Sequence, residues 1–269
     1  KSANINKVPT IPGNMEQAML TPEWTSHWLP AIGHEIHGMF DKRKAMIPVN
    51  EDQLTPEMKE RACKLTWAWK IKWVLGEIAG YRARLCAQGF SQIYGVNYNK
   101  TFAPIASYTT FLVALHLATQ LGLHARHYDA EKAYLNAVLP EPILCCFPGR
   151  QTVNDLKYCW AHNCIYELKQ AGHHWYKLSH QNIMTAEPRL TRSETDKCFY
   201  YLVTATLVVF IVANVDDYAV FSSCEKWYKG FETLYAKTGT VLNNEGDLKR
   251  WCGQDIVRKD DNFTLSQTH

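Results

Sequence analysis

The chain has 269 residues, 46% of them hydrophobic and 20% charged, a balance that supports a packed core and excludes a disordered polymer. Its formal net charge of +3 is too small to identify a polyanion partner by itself. The apolar run at residues 201–213 falls well short of the about 20 residues a membrane-crossing helix needs, so no membrane partner is expected.

In chain order, residues 1–21 show little periodicity and read as a leader or linker, with a functional domain expected over 22–269. Over 23–40 (EWTSHWLPAIGHEIHGMF) apolar residues recur at helical spacing, and Pro30 suits a helix that begins near it. Two strands are predicted next, LTWAWKIKWVL and YRARLCAQGF, joined through GEIAG. In the first, apolar and basic residues alternate, which predicts a half-buried strand with an exposed basic face. Arg61, Lys64, Lys70, Lys72, Arg82 and Arg84 face a single acid, Glu77, in this region. Such an excess is either a solvated face or a phosphate-attracting one.

A helix is predicted over 108–121, with Thr109 or Thr110 as cap and Gly122 as stop. The strand LHARHYDA follows, and a further helix is expected within 165–184. Residues 200–221 read as a hairpin of two buried strands, YLVTATLVVFIVAN and YAVFSS, with Val215, Asp216 and Asp217 at its tip. This order predicts an α+β fold, an antiparallel sheet with helices packed on one face. The nine cysteines are odd in number and irregular in spacing, and they read as reduced thiols of an intracellular, unsecreted protein. Cys159, His162 and Cys164 resemble part of a zinc site but have no fourth ligand nearby.

Taken alone, Asp216 and Asp217 make an ordinary polar turn, and Asp129 an ordinary strand end. If their strands are neighbours, three carboxylates meet at one sheet edge. Two carboxylates about 4 Å apart repel by roughly 4 kcal/mol at an effective dielectric near 20, so such a cluster calls for protons, solvent or cations. An all-oxygen, carboxylate-rich site suits Mg²⁺, and a pair of such ions serves in-line phosphoryl displacement.

Five segments, in order, resemble the copia-type reverse transcriptases of long-terminal-repeat retrotransposons. They are YRARLCAQGFSQIYGVNYNKTFAPIA, DAEKAYLNAVL, IYELKQAGHHWY, NVDDYAVF and GDLKRWCGQDIVRKDDNFTLSQ. The resemblance implies the fingers and palm of a right-hand polymerase, ending before a complete thumb and without a ribonuclease H domain. It implies that Asp129, Asp216 and Asp217 are catalytic and bind two Mg²⁺ ions, with Mn²⁺ as a substitute. Tyr134 would be the steric gate beneath the incoming sugar, and Arg82 with Lys70 or Lys72 would contact the triphosphate. Lys169 and Gln170 would lie near the templating base and nucleotide, and Trp251 and Gly253 in the primer grip. The implied partners are an RNA or DNA template with its primer, deoxynucleoside triphosphates, and the integrase and ribonuclease H domains of a polyprotein. Cytoplasmic virus-like particles or the nucleus would be the setting.

The chain departs from the family pattern at several positions. Glu167 stands where a glycine is usual, Gly172 and His173 replace proline and arginine, Asn214 replaces a tyrosine, and Ala137 replaces a glycine. These departures motivate the alternative of an inactive relic that keeps the fold. A different two-metal enzyme, such as a nuclease, would use the same acids without a sugar gate.

Overall fold

The structure is a computed structural model that describes residues 9–74, 77–149, 151–259 and 262–267. It divides into two compact units, one formed by 1–100 with 137–171 and the other by 101–136 with 172–269. Among the described residues no helix is long and apolar enough to cross a membrane.

The first unit is built on a five-stranded sheet. Numbered along the chain, its strands are β1 (Met46–Val49), β2 (Cys63–Val74), β3 (Glu77–Ala87), β5 (Val138–Cys146) and β6 (Tyr158–Asn163), in the order β1-β6-β5-β2-β3. All neighbours are antiparallel except β2 and β5. The alternation read from the sequence is realised in β2: Leu65, Trp67 and Ile71 are buried while Lys64, Lys70 and Lys72 are exposed. The GEIAG segment differs from expectation, because Glu77 to Gly80 already belong to β3; residues 75 and 76 lie outside the described residues. A continuous helical path covers 24–42, with the α-helix α2 (Leu29–Ile36) between π-helical turns and Pro30 in its first turn. It buries Trp28 edge-on against Trp69 and Tyr81, at ring distances of 5.3 and 4.7 Å. The expected leader carries a short helix, α1 (Met15–Met19), whose first turn is capped by Asn14. Thr55 caps the short α3 (Pro56–Glu60) in the same way.

The second unit holds a six-stranded antiparallel sheet in the order β11-β4-β10-β9-β8-β7. Its strands are β4 (His124–Ala130), β7 (Thr191–Arg192), β8 (Phe199–Val203), β9 (Val208–Asn214), β10 (Asp217–Ser222) and β11 (Leu242–Asp247). A three-stranded sheet follows, of β12 (Arg250–Trp251), β13 (Gln254–Lys259) and β14 (Asn262–Ser266). The helices are α4 (Tyr108–Gln120), the single turn α5 (Ala133–Asn136), α6 (Ala171–Ala186) and α7 (Glu225–Ala236).

Three expectations need correction. The strand predicted over 201–214 is broken at 204–207, where the Thr204 hydroxyl accepts from the backbone N–H of Leu207 and the chain reverses between β8 and β9. No glycine or proline marks that turn. The cap of α4 is Ser107, and no side chain bonds the helix end there; Gly122, at φ +61°, does terminate the helix. Finally, helices cover both faces of the larger sheet.

The reason lies in β9, whose Val209 to Ala213 are all buried, so that neither face can be left to water. On one face Phe111, Leu115 and Ala118 of α4 pack with Phe210, Val212, Ala219 and Phe221, joined by Trp251 and Ile256 of the smaller sheet. On the other, the Tyr218 hydroxyl bonds Ser179 of α6 at 2.7 Å and Tyr235 of α7 at 3.3 Å. Tyr128 there donates to Glu232.

Candidate active site

The acidic residues meet where β4 and β10 run side by side. Asp217 is directly opposite Asp129 in the antiparallel register, and the backbone N–H of Ala130 donates to the carbonyl of Asp216 at 2.7 Å. Cross-strand partners share a sheet face, so Asp129 and Asp217 stand side by side, on the face that also carries His127. Asp216 occupies the two-residue turn between Asn214 and Asp217.

That turn is strained. Val215 has φ +56°, a left-handed conformation that its branched side chain resists. The indole N–H of the buried Trp175 donates to the Val215 carbonyl at 2.6 Å and helps to hold the turn.

The electrostatics record the crowding. Burial, followed by the charges of Asp216, Asp217 and Glu245, holds the Asp129 carboxyl above the usual range. His127 bonds Asp217 at 2.9 Å, and that bond raises the imidazole pKa. A hard divalent cation is bound by oxygen donors, and the three aspartates supply an all-oxygen set whose members already repel one another; in chemistry the residues fit. Among the described residues, however, no three His, Cys, Asp or Glu side chains converge as a ligand group. One Asp217 oxygen is engaged by His127.

Other expected residues of this unit fall as follows. Tyr134, half-buried, borders a cavity of about 180 Å³ together with Val215, Trp175 and Gly172. Gly253 lies in the turn between β12 and β13, where Cys252 and Gly253 both have positive φ, the geometry of a tight two-residue hairpin. The Asn214 amide donates to the Cys252 sulfur at 3.1 Å, which sets this turn beside the acidic hairpin. Trp251 is buried and stacked on Phe111 at 5.2 Å, so its ring belongs to the core.

The remaining expected residues belong to the first unit. Lys70 is directly opposite Arg82, and Ala68 opposite Arg84, so Lys64, Lys70, Lys72, Arg82 and Arg84 line one exposed face of the β2–β3 hairpin. Like charges in direct register are unfavourable, and an anion on that face relieves them. Gln170 is buried, with its amide bonded to Gln92 and to the Asn97 carbonyl, whereas Lys169 is exposed above the Tyr98 ring. Cys159 and Cys164 are buried, and burial pushes the Cys164 thiol up to about 12.

Sequence reasoning passed over His127 and Trp175. Strand alternation places His127 on the face of Asp129, a signal that was readable; nothing in the sequence pointed from Trp175 to the turn.

Residues 54–269 match the family described as reverse transcriptase (RNA-dependent DNA polymerase). The chain is similar to the retrovirus-related Pol polyprotein from transposon TNT 1-94 of Nicotiana tabacum, 28% identical over 211 residues and covering 74% of this chain. It is also similar to the corresponding polyproteins from transposons RE2 and RE1 of Arabidopsis thaliana, at 25% identity over 71% of the chain and 27% over 53%. It spans only 15%, 13% and 10% of the lengths of these relatives. With a family match over most of its length and copia-like transposon relatives, the chain belongs to the reverse transcriptase (RNA-dependent DNA polymerase) family, in its copia-type branch.

Proposed function

We propose that the chain is the reverse-transcriptase segment of a retrotransposon polyprotein, and that it extends a primer on an RNA or DNA template with deoxynucleoside triphosphates. The observation that carries this reading is the register of Asp217 against Asp129, with Asp216 in the adjoining turn. In the reaction the primer 3′-oxygen bonds to the α-phosphorus, the bond from that phosphorus to the bridging oxygen of the β-phosphate breaks, and pyrophosphate leaves. Asp129, Asp216 and Asp217 would hold two Mg²⁺ ions. Such ions, when bound, supply activation of the attacking hydroxyl and charge neutralisation at the leaving oxygen.

The protein's own part is positioning. On this reading the second unit is the palm and the first the fingers. The exposed cations Arg82 and Lys70 or Lys72 orient the triphosphate, with the guanidinium offering bidentate geometry. The ring of Tyr134 lies beneath the sugar and rejects a 2′-hydroxyl. Gly253 and its turn receive the primer strand, and the buried Trp251 anchors that turn in the core.

Primer extension on a poly-ribonucleotide template tests the proposal. Wild-type protein extends the primer in Mg²⁺ and Asp216→Asn does not. Equal signal from the two proteins rejects it.

A further inference from the structure

Gln170, expected beside the templating base, has other work in this structure. Its side-chain oxygen accepts from Gln92 at 3.0 Å, and its side-chain nitrogen donates to the Asn97 carbonyl at 2.9 Å. The oxygen of Gln92 in turn accepts from the backbone N–H of Lys169 at 2.8 Å. Within the loop the Asn97 side chain accepts from the backbone N–H of Ile93, and Asn97 N–H donates to the Ile93 carbonyl, each at 2.8 Å. Both glutamines are buried, so residues 92–98 are clamped from beneath by satisfied polar groups.

What this clamped loop and the short turn before it, Gly89–Ser91, present outward is apolar. Phe90 is 82% exposed and Tyr94 70%, with Ile93 and Val96 about half exposed beside them. Tyr94 meets Tyr98 edge-on at 5.7 Å. The ammonium of Lys169 lies 4.7 Å from the centre of the Tyr98 ring and donates to its hydroxyl at 3.2 Å. Lys100 is exposed at the end of the segment, and residues 88–100 contain no acid. Aromatic rings held outward on a fixed loop, flanked by cations, have the chemistry that binds unpaired bases by stacking and their phosphates by charge.

We propose that Phe90 and Tyr94 form a stacking platform for single-stranded nucleic acid, that Lys100 and Lys169 attend its phosphates, and that Gln92 and Gln170 are positioning residues that hold the platform. The occupant is an unpaired strand and not a duplex, because a duplex keeps its base faces covered. The inference rests on the nucleic-acid-binding reading above, but on none of its metal chemistry.

The test measures fluorescence anisotropy of a labelled single-stranded oligonucleotide and of a blunt duplex, at one fixed salt concentration, with the complete chain. Phe90→Ala and Tyr94→Ala each weaken single-strand binding about tenfold, the size expected for one stacked base, and leave duplex binding unchanged. Phe90→Trp keeps the affinity, and its added fluorescence is quenched on binding. Lys100→Ala lowers the salt dependence of single-strand binding by about one phosphate contact. Single-strand affinity unchanged in both alanine variants overturns the platform. So does a loss of self-association, read by sedimentation, with single-strand binding intact; that result assigns the patch to a second copy. Wild-type protein that binds the single strand through Phe90 and Tyr94 but extends no primer in Mg²⁺ sinks the polymerase reading and leaves this one standing.

Discussion

Replacing Asp129 with Asn separates what the acidic cluster costs the fold from what it does. Directly opposed residues on antiparallel strands have Cβ atoms about 5 Å apart, and Asp217 is the partner of Asp129. Two unit charges at about 5 Å repel by roughly 3 kcal/mol at an effective dielectric near 20. The Asp217 side chain is 45% exposed, so solvent and salt reduce this to about 1 kcal/mol. Asn is close to isosteric with Asp and keeps a carbonyl oxygen to accept from Asn243, which bonds Asp129 here. In EDTA, Asp129→Asn therefore raises the melting temperature by about 2–4 °C, read by calorimetry at pH 7.5. Addition of 10 mM Mg²⁺ raises the melting temperature of wild type and leaves that of the variant unmoved, since only wild type gains ligand-linked stability. A melting temperature that falls in EDTA refutes the electrostatic reasoning, because the carboxylate would then be stabilising the apo fold.

Other consequences can be checked one by one. Glu167 has φ +65°, so Glu167→Gly removes a left-handed penalty of about 1–2 kcal/mol and gives back part of it as unfolded-state entropy; the unfolding free energy read by urea titration rises by about 0.5–1 kcal/mol. Trp175→Phe deletes the bond to Val215 and some buried volume, and lowers stability by about 1–2 kcal/mol by urea titration, with primer extension falling more steeply than substrate affinity. His127 has its folded pKa raised by Asp217, so its contribution is fully present below the ordinary histidine pKa and is lost as pH rises through the folded value. Asp129, an acid with a raised folded pKa, weighs in the same direction: it costs stability once ionised. The metal-free protein thus loses stability from mildly acidic pH towards neutrality, and His127→Gln flattens that slope in a pH series of melts. Tyr134→Ala opens the space beneath the sugar, and ribonucleotide incorporation rises relative to deoxyribonucleotide in competition assays.

Much of this was legible from residue patterns. Alternating lysines and apolar residues gave β2 its exposed basic face, and the apolar run ending in Asn-Val-Asp-Asp gave the β9–β10 hairpin. The turn at 204–207 was hidden because Thr204 closes it with a hydroxyl in place of a glycine or proline. The helices on both faces were implied by the unbroken apolar stretch of β9, since alternation is lost only when both faces are covered. Glu167 stands where a glycine is usual, and the backbone supplies a reason for that glycine, namely a positive φ that glycine adopts without penalty. The buried amide network of Gln170 could not be read in advance, because a side chain far along the sequence, Gln92, completes it.

The claim at the centre is that the fold gathers Asp129, Asp216 and Asp217 into one cation-holding site. Electron paramagnetic resonance of Mn²⁺, titrated into the complete chain with a chain-terminated primer–template and the next deoxynucleotide, counts the ions bound. Wild type is predicted to hold two, and Asp129→Asn and Asp216→Asn each to lose them. Equal Mn²⁺ binding by wild type and both variants would contradict the account.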